Sequence, residues 1–415
     1  MKFPDLLERF IYYAMIDTGS DENSKTFPST EGQAVLAERL KAELVEIGLS
    51  DACINEHGYV LASLSSTNAG PTPAIALIAH LDTSPDVSGH GVTPQVHRDY
   101  DGEDISLSMD PEIILAADNN PPLKDKIGNT IITTDGTTLL GADDKAGIAE
   151  IMSAVKYLIS HPEIPRPHIR VIFTPDEEIG KSSDMITTQE IGADFGYTID
   201  GGDAGEIEDE TFCADTVKII VKGVNVHPGY AKDRIANAVK IASEIIENLP
   251  KGYLSPETTE DREGYIHPHH ISGTVERAEI KMLIRDFTEQ GLMEKEDFIS
   301  SLVHDARRRH PLSDIVFEIE RSYRNMKQVL ESHPEVVEIA EEAIARSGLT
   351  SARTAVRGGT DGARLCFMGL PTPNIFTGGH NFHSRYEWIS LEDMEKAAEV
   401  IVRLMELWAS KAPVR

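Results

Sequence analysis

The chain has 415 residues, a formal net charge of −30, and 40% hydrophobic against 26% charged residues. That composition belongs to a globular protein, and the length allows roughly two to four domains with cores of their own. So acidic a balance argues against nucleic acid, whose phosphates are bound by Lys and Arg displacing counterions, and against a polybasic membrane anchor.

No apolar run approaches the ~20 residues of a transmembrane helix. The start, Met1-Lys2-Phe3-Pro4-Asp5, lacks the basic-then-apolar layout of a signal peptide. Cys53, Cys213 and Cys366 are odd in number and far apart. That excludes a disulfide framework and a thiolate zinc site, and the expected location is the cytoplasm.

Helical spacing recurs at Leu7, Phe10, Ile11, Ala14 and Met15, then at Val35, Leu36, Leu40, Leu44 and Ile47, with Gly48 as the stop. Extended runs follow at Tyr59–Leu64 and Pro73–Leu81. The segment from Thr83 to Asn129, dense in Gly, Pro and Asp, reads as a long functional loop. Ile148, Ile151, Met152, Val155, Leu158 and Ile159 share a helix face, and strands follow at Ile169–Phe173 and Phe195–Ile199. Helices alternating with short apolar strands predict an α/β layer fold with a largely parallel sheet.

From Asp215 to Tyr323 the pattern becomes βαββαβ: Val217–Val221, Asn237–Leu249, Ile271–Val275, Glu279–Phe287, Met293–Arg309 and Ile315–Ile319. That order predicts a separate two-layer unit with an antiparallel sheet. The α/β pattern then resumes and closes with a helix opened by the capping box Ser390-Leu391-Glu392-Asp393. The expected organisation is a catalytic domain over 1–212 and 325–415, interrupted by an inserted domain over 213–324.

Five places in the α/β part put His or carboxylates just past a strand or before a helix, where ligand sites of α/β sheets lie. His80-Leu81-Asp82 ends an apolar strand, and residues i and i+2 share a face, so Asp82 can hydrogen-bond the His80 imidazole. Gly141-Ala142-Asp143-Asp144-Lys145 opens a helix; one Asp can cap it, leaving the other for a cation. Asp176-Glu177-Glu178 ends a strand, and three adjacent acids repel unless something positive sits among them. One of them as ligand and a neighbour as general base would use both. Asp200-Gly201-Gly202 ends another strand, and Thr377-Gly378-Gly379-His380-Asn381-Phe382-His383 offers two histidines in a loop. His267, His269 and His270 have no acid beside them and are set aside. Walker A or Rossmann glycine spacing and a G-x-S-x-G elbow are missing. Two histidines and several carboxylates make an N/O set suited to zinc and related divalent ions, and a shared carboxylate would make a two-metal site.

In that order along the chain, His80-Leu81-Asp82, Gly141-Ala142-Asp143-Asp144-Lys145, Asp176-Glu177-Glu178, Asp200 and His383 resemble the metallopeptidase family that holds glutamate carboxypeptidase, succinyl-diaminopimelate desuccinylase and aminoacylase. Within it, Thr133–Gly141, Arg357–Ala363, Phe367–Pro371 and Phe376–Gly379 are most similar to the tripeptide aminopeptidases. The resemblance spans nearly the whole chain and matches the βαββαβ insertion to the family's lid domain. It implies two zinc ions, one on His80, Asp143 and Asp200, the other on Asp143, Glu178 and His383, with Asp143 bridging. It further implies that Asp82 orients His80, that Glu177 is the general base, and that the Asp143–Asp144 peptide is cis. His227 would reach the substrate carbonyl, and Arg285 and Arg357 the terminal carboxylate of a tripeptide. His383 is taken over His380 by alignment with Glu387, and Ser384 stands where relatives usually have Gly. A related dipeptidase, carboxypeptidase or N-acyl amino acid deacylase is the alternative activity. A homodimer is compatible with this pattern, His227 then coming from the same subunit or its partner.

Overall fold

The computed structural model describes residues 1–110 and 112–412. The chain forms two compact units, the first from Met1–Asp209, Gln328–Thr354 and the residues from Thr360 onward, the second from Glu210–Lys327 and Ala355–Gly359.

The first unit is built on a mixed sheet. Its strands run in the order Cys53–Ile54, Val60–Leu64, Ile169–Thr174, Ile75–His80, Phe195–Gly201, Asn374–Phe376, Glu206–Thr211 and Ala352–Val356. The central ones are parallel: Ile75–His80 pairs with Ile169–Thr174 on one side and Phe195–Gly201 on the other. Every residue of Ile75–His80 is buried, which is why it reads as one unbroken apolar run instead of alternating. The helix Ala142–Ser160 packs on these strands, with Leu6–Ala14 and Leu391–Trp408 beside it. On the other side Ile78, Ile172, Ile191, Leu365 and Leu370 form a second buried cluster.

Parallel pairing aligns carboxyl ends, and this is what assembles the site. His80 is paired with Thr174, two residues before Asp176. Two residues beyond the last pair with the third strand, Ile78–Thr198, stand His80 and Asp200. Three of the acidic motifs are therefore brought to one edge by register alone.

The segment after Thr83 is more ordered than its composition suggests. It holds the short strands Gln95–His97, Ile105–Ser106 and Ile114–Leu115 and the helix Pro121–Lys124. Tyr100, Ile105, Leu107, Leu115 and Leu123 bury themselves with Ile131 and Trp388 in a core of their own. A segment that finds its own apolar cluster need not stay a loop, however many turn residues it carries. Gln95–His97 also joins an antiparallel sheet in the order Gly379–His380, Trp388–Ser390, Ile131–Thr133, Gln95–His97. Its hairpin pairs His380 with Trp388 and so carries His383 on the turn between them.

The capping box at Ser390 is half formed. Ser390 Oγ accepts the Asp393 N–H at 3.3 Å. The Asp393 carboxylate turns instead to Lys126 at 2.6 Å, and Glu392 accepts the Thr130 N–H at 2.8 Å. A buried acid offered an ammonium takes it over a backbone amide.

The second unit follows the expected βαββαβ order: Cys213–Lys222, Ala238–Glu247, Tyr265–Gly273, Arg277–Asp286, Glu289–Arg309 and Asp314–Arg321. Its four strands are antiparallel, with Cys213–Lys222 between Arg277–Asp286 and Asp314–Arg321. Val217, Ile219 and Val221 alternate inward to meet Ile241 and Ile245 of one helix and Ile299 and Val303 of the other. Among the described residues no helix is long and apolar enough to cross a membrane.

Candidate metal centre

The helix that follows Gly141 does not begin helically. Gly141 is left-handed at φ 79°, and Asp143 and Asp144 depart from helical geometry. Their peptide bond is cis, as the resemblance implies. The two acids then divide their tasks. Asp144 Oδ1 accepts the Gly147 N–H at 3.2 Å, capping the true start of the helix, and Oδ2 accepts the His80 N–H at 3.0 Å. Asp143 is left to face the histidines.

Its carboxylate lies between them. Oδ1 is 2.8 Å from His80 Nε2, and Oδ2 is 3.1 Å from His383 Nε2. His80 Nε2 is also 3.6 Å from Asp200 Oδ1, and His383 Nε2 is 3.1 Å from Glu178 Oε2. One carboxylate thus joins two triads, His80–Asp143–Asp200 and His383–Asp143–Glu178. His80, Asp143 and Glu178 also offer atoms within 4.8 Å of one another, as do His80, Asp144 and Asp200. Both oxygens of Asp144 already accept backbone N–H groups, whereas those of Asp143 face the two imidazoles.

The three consecutive acids resolve in the same way. Asp176, at φ 58° and wholly buried, accepts from Ser29 N (2.7 Å), Ser29 Oγ and Gln33 Nε2 (2.7 Å). It anchors the turn and takes no part in the centre. Glu177 and Glu178 point on, and Glu178 Oε1 is buried without a hydrogen-bond partner among the described residues. Such an atom is costly unless a cation or water meets it.

Asp82 has a wider task than the sequence suggests. The nearest acceptor to His80 Nδ1 is the Asp82 carbonyl at 3.0 Å, with its carboxylate at 3.4 Å. That carboxylate accepts the N–H groups of Glu177 at 2.9 Å and Glu178 at 3.1 Å. Two short bonds to backbone outweigh one long bond to the ring, so Asp82 fixes the Glu177–Glu178 turn as well as the imidazole.

Charge states follow from this crowding. Burial works against the charge on His383, yet its bonds to Asp143 and Glu178 push its pKa up to about 11. Burial likewise opposes the charge on His80, but Asp200 and Asp143 raise its pKa well above the ordinary value. Burial pushes Glu178 and Asp200 up to about 7, the charge of Asp143 adding to it. Asp143 alone goes down despite its burial, held ionised by the two imidazoles. Glu177 is raised well above its ordinary value, first by burial and then by the charge of Asp361. The protons held between these groups occupy the place that suits a divalent ion.

The model for peptidase family M20/M25/M40 matches residues 134–407. The chain belongs to that family. It is therefore a peptidase, of a metal-dependent kind. A protein named peptidase T from Caldanaerobacter subterraneus subsp. tengcongensis is 49% identical over 98% of this chain and 99% of its own. Another of that name, from Halothermothrix orenii, is 47% identical over 98% and 99%. Among solved structures, aminopeptidase PepT from Bacillus cereus ATCC 10987 aligns with a TM-score of 0.75 at 23% identity, covering 99% of this chain and 100% of that one. A tripeptidase from Staphylococcus aureus gives a TM-score of 0.77 at 20% identity, with the same coverage. Both share the fold of this M20/M25/M40 chain.

Other candidates lie elsewhere. His380 stacks on Trp388 at 4.1 Å and has Asp203 at 3.4 Å; burial takes its pKa down to about 4. His227, in the second unit, is exposed and accepts the Gly229 N–H at 3.2 Å. Arg285 donates to the Ile284 carbonyl at 2.9 Å and to that of Asp215 at 3.3 Å. Arg357 departs from expectation. Its guanidinium donates to the carbonyls of Asp261 (2.8 Å), Glu263 (2.9 Å) and Thr259 (3.3 Å) and to Thr259 Oγ1 (3.0 Å), and lies over the Phe212 ring at 5.3 Å. A planar fork matched to several carbonyls holds a turn, and here that turn is 259–263.

Glu387 is the functional residue that sequence reasoning passed over, using it only to align His383. Oε2 accepts the N–H groups of Leu140 (2.7 Å) and Gly141 (2.8 Å), and Oε1 that of Asp143 (3.2 Å). It clamps the turn that delivers Asp143. Asn374 does the same for Asp200, accepting its N–H at 3.0 Å. Neither has a local signal, because each acts on backbone far away in sequence.

Proposed function

We propose that this chain is a two-zinc aminopeptidase that removes the N-terminal residue from tripeptides. The observation that carries the reading is the Asp143 carboxylate, one oxygen toward each imidazole. His80, Asp143 and Asp200 would hold one ion, and Asp143, Glu178 and His383 the other. The orphaned Glu178 oxygen and the all-N/O donor set fit that assignment. Zinc there would supply Lewis acidity, polarising the scissile carbonyl and acidifying an attacking water.

The chain's own groups do the rest. Glu177, whose carboxylate has no ion pair among the described residues and a raised affinity for protons, takes a proton from the attacking water. It returns that proton to the departing amine. Asp82 keeps Glu177 and Glu178 at one spacing through their backbone N–H groups. His227 and Arg285 are assigned to substrate contact, and Arg357 to support of the 259–263 turn. The choice of tripeptides rests on the peptidase T relatives and the tripeptidase neighbour. Scattered free cysteines support a cytoplasmic location for the enzyme.

The test is to strip the protein with a chelator and follow cleavage of a free and an N-acetylated tripeptide as zinc is returned. Cleavage of the free peptide alone, leaving a dipeptide, is the expected result. Preference for the blocked peptide would move the reading to a deacylase, and silence at full metal occupancy would refute it.

A further inference from the structure

The two imidazoles of the centre are secured unequally. His80 is nearly sealed, with 2% of its side chain exposed, and its Nδ1 has both the carbonyl and the carboxylate of Asp82 within reach. His383 is 38% exposed and stands on a hairpin turn at φ 56°. Its Nε2 is fully used by Asp143 and Glu178. Among the described residues its Nδ1 has one acidic partner, the Asp86 carboxylate, whose Oδ2 lies at 3.5 Å.

Asp86 is four residues beyond Asp82 on the same segment, Asp82-Thr83-Ser84-Pro85-Asp86. That segment is tied down. The Thr83 N–H donates to the Thr18 carbonyl at 3.3 Å, and the Thr83 carbonyl accepts from Ser20 N at 3.1 Å. The Asp86 N–H donates to Ser84 Oγ at 3.3 Å, and Pro85 removes one backbone freedom between them. Asp86 makes no other ion pair among the described residues. One short stretch of chain therefore presents an acidic residue to the Nδ1 side of each histidine.

We propose that Asp86 is the positioning residue of His383: it accepts the Nδ1–H, fixing the tautomer and ring plane so that Nε2 presents its lone pair to an ion shared with Asp143 and Glu178. The 3.5 Å separation is at the long end for a hydrogen bond and needs to close by a few tenths of an ångström, as such contacts do when a site is filled. A histidine ligand on a partly exposed turn gains more from such a partner than a sealed one, because its ring has more orientations to lose. Asp86 thereby sets the affinity of the His383-side ion alone, while Asp82 supports both His80 and the turn that carries Glu178. The inference rests on the two-zinc reading above.

The experiment is competitive zinc titration of the apo chain against a chromophoric chelator, for wild type, Asp86→Ala and Asp86→Glu, with KM and kcat for one free tripeptide measured beside it. The wild type should take up two equivalents. Asp86→Ala should keep one at wild-type affinity and loosen the other ~10–100-fold, the usual loss when a ligand's partner is removed. Asp86→Glu should recover part of that loss. Unchanged affinity for both equivalents overturns the proposal. So does unchanged metal uptake with a raised KM, which would make Asp86 a contact for the substrate ammonium. Equal loosening of both equivalents, which marks a general structural defect, overturns it as well. A wild type that binds fewer than two equivalents removes the two-zinc reading, and the inference falls with it; a wild type that binds two leaves that reading standing whatever the variants do.

Discussion

His80, Glu177, Glu178 and Asp200 come from the carboxyl ends of neighbouring parallel strands, whereas His383 and Glu387 come from one hairpin turn of a smaller antiparallel sheet. At the strand ends, spacing is set by sheet hydrogen bonds that every residue of the strand shares. On the hairpin turn it is set by a few specific contacts: His383 to Asp143 and Glu178, and Glu387 to three backbone N–H groups. The strand-end residues start from a spacing that the sheet sets, to which Asp82, Asp144 and Asn374 add single backbone contacts, while the turn depends on individual side chains. Substitutions should therefore act on chemistry in the first region and on positioning in the second.

The largest effect expected is at the strand ends. Glu177→Gln should lower kcat by ~10²–10⁴-fold, the range for losing a general base, while metal uptake stays at the wild-type level. Metal content by mass spectrometry of the native protein, with turnover on a free tripeptide, checks both halves. Loss of metal together with activity would mean that Glu177 supports the ions, and the contrast between chemistry and positioning would fail.

A smaller effect is expected at the clamp. Glu387→Ala leaves three amides without their acceptor and should reduce activity ~10–100-fold through displaced Asp143. Here metal affinity should fall too, in contrast to Glu177→Gln. The same residue gives a pH test. Burial pushes Glu387 up to about 7, so the folded apo chain favours its protonated form. That contribution is present below the ordinary carboxylate pKa and is lost as pH rises through about 7. Thermal unfolding of the apo protein should thus show Tm falling between pH 5 and about 7.5. Glu387→Gln should fall less over that range, and an identical slope would locate the effect in Glu178 and Asp200.

The smallest effect is expected at the other histidine of the hairpin. His380→Gln should change metal uptake and kcat by less than about threefold, and cost about 0.5–1.5 kcal/mol of stability through the lost stack on Trp388. A loss of one metal equivalent would show that the wrong histidine of the pair has been taken as ligand.

Much of the fold was readable because burial writes itself into a strand. Ile75–Ala79 is apolar throughout since both of its faces are covered, and the βαββαβ order appears as alternation on strands with one face solvated. The segment after Thr83 was misread as loop because its apolar residues are spaced irregularly and close a core only when Ile131 and Trp388 join them. At the centre, the residue types and their strand-end placement were legible. The division of labour between Asp143 and Asp144 was not, since it depends on which oxygen meets the N–H groups of His80 and Gly147. Asp176 likewise looks no different from Glu177 until Ser29 and Gln33 are found around it.

The sequence alone determined the fold class, the order of the motifs and the chemical nature of the donor set, because periodicity, turn residues and residue type are local properties. Only the tertiary structure decided that Asp143 faces both imidazoles, that Glu387 holds its turn, that Arg357 supports residues 259–263, and that Asp86 stands beside His383. Those relations join positions up to hundreds of residues apart, and a hydrogen bond depends on distance and direction that no local pattern records.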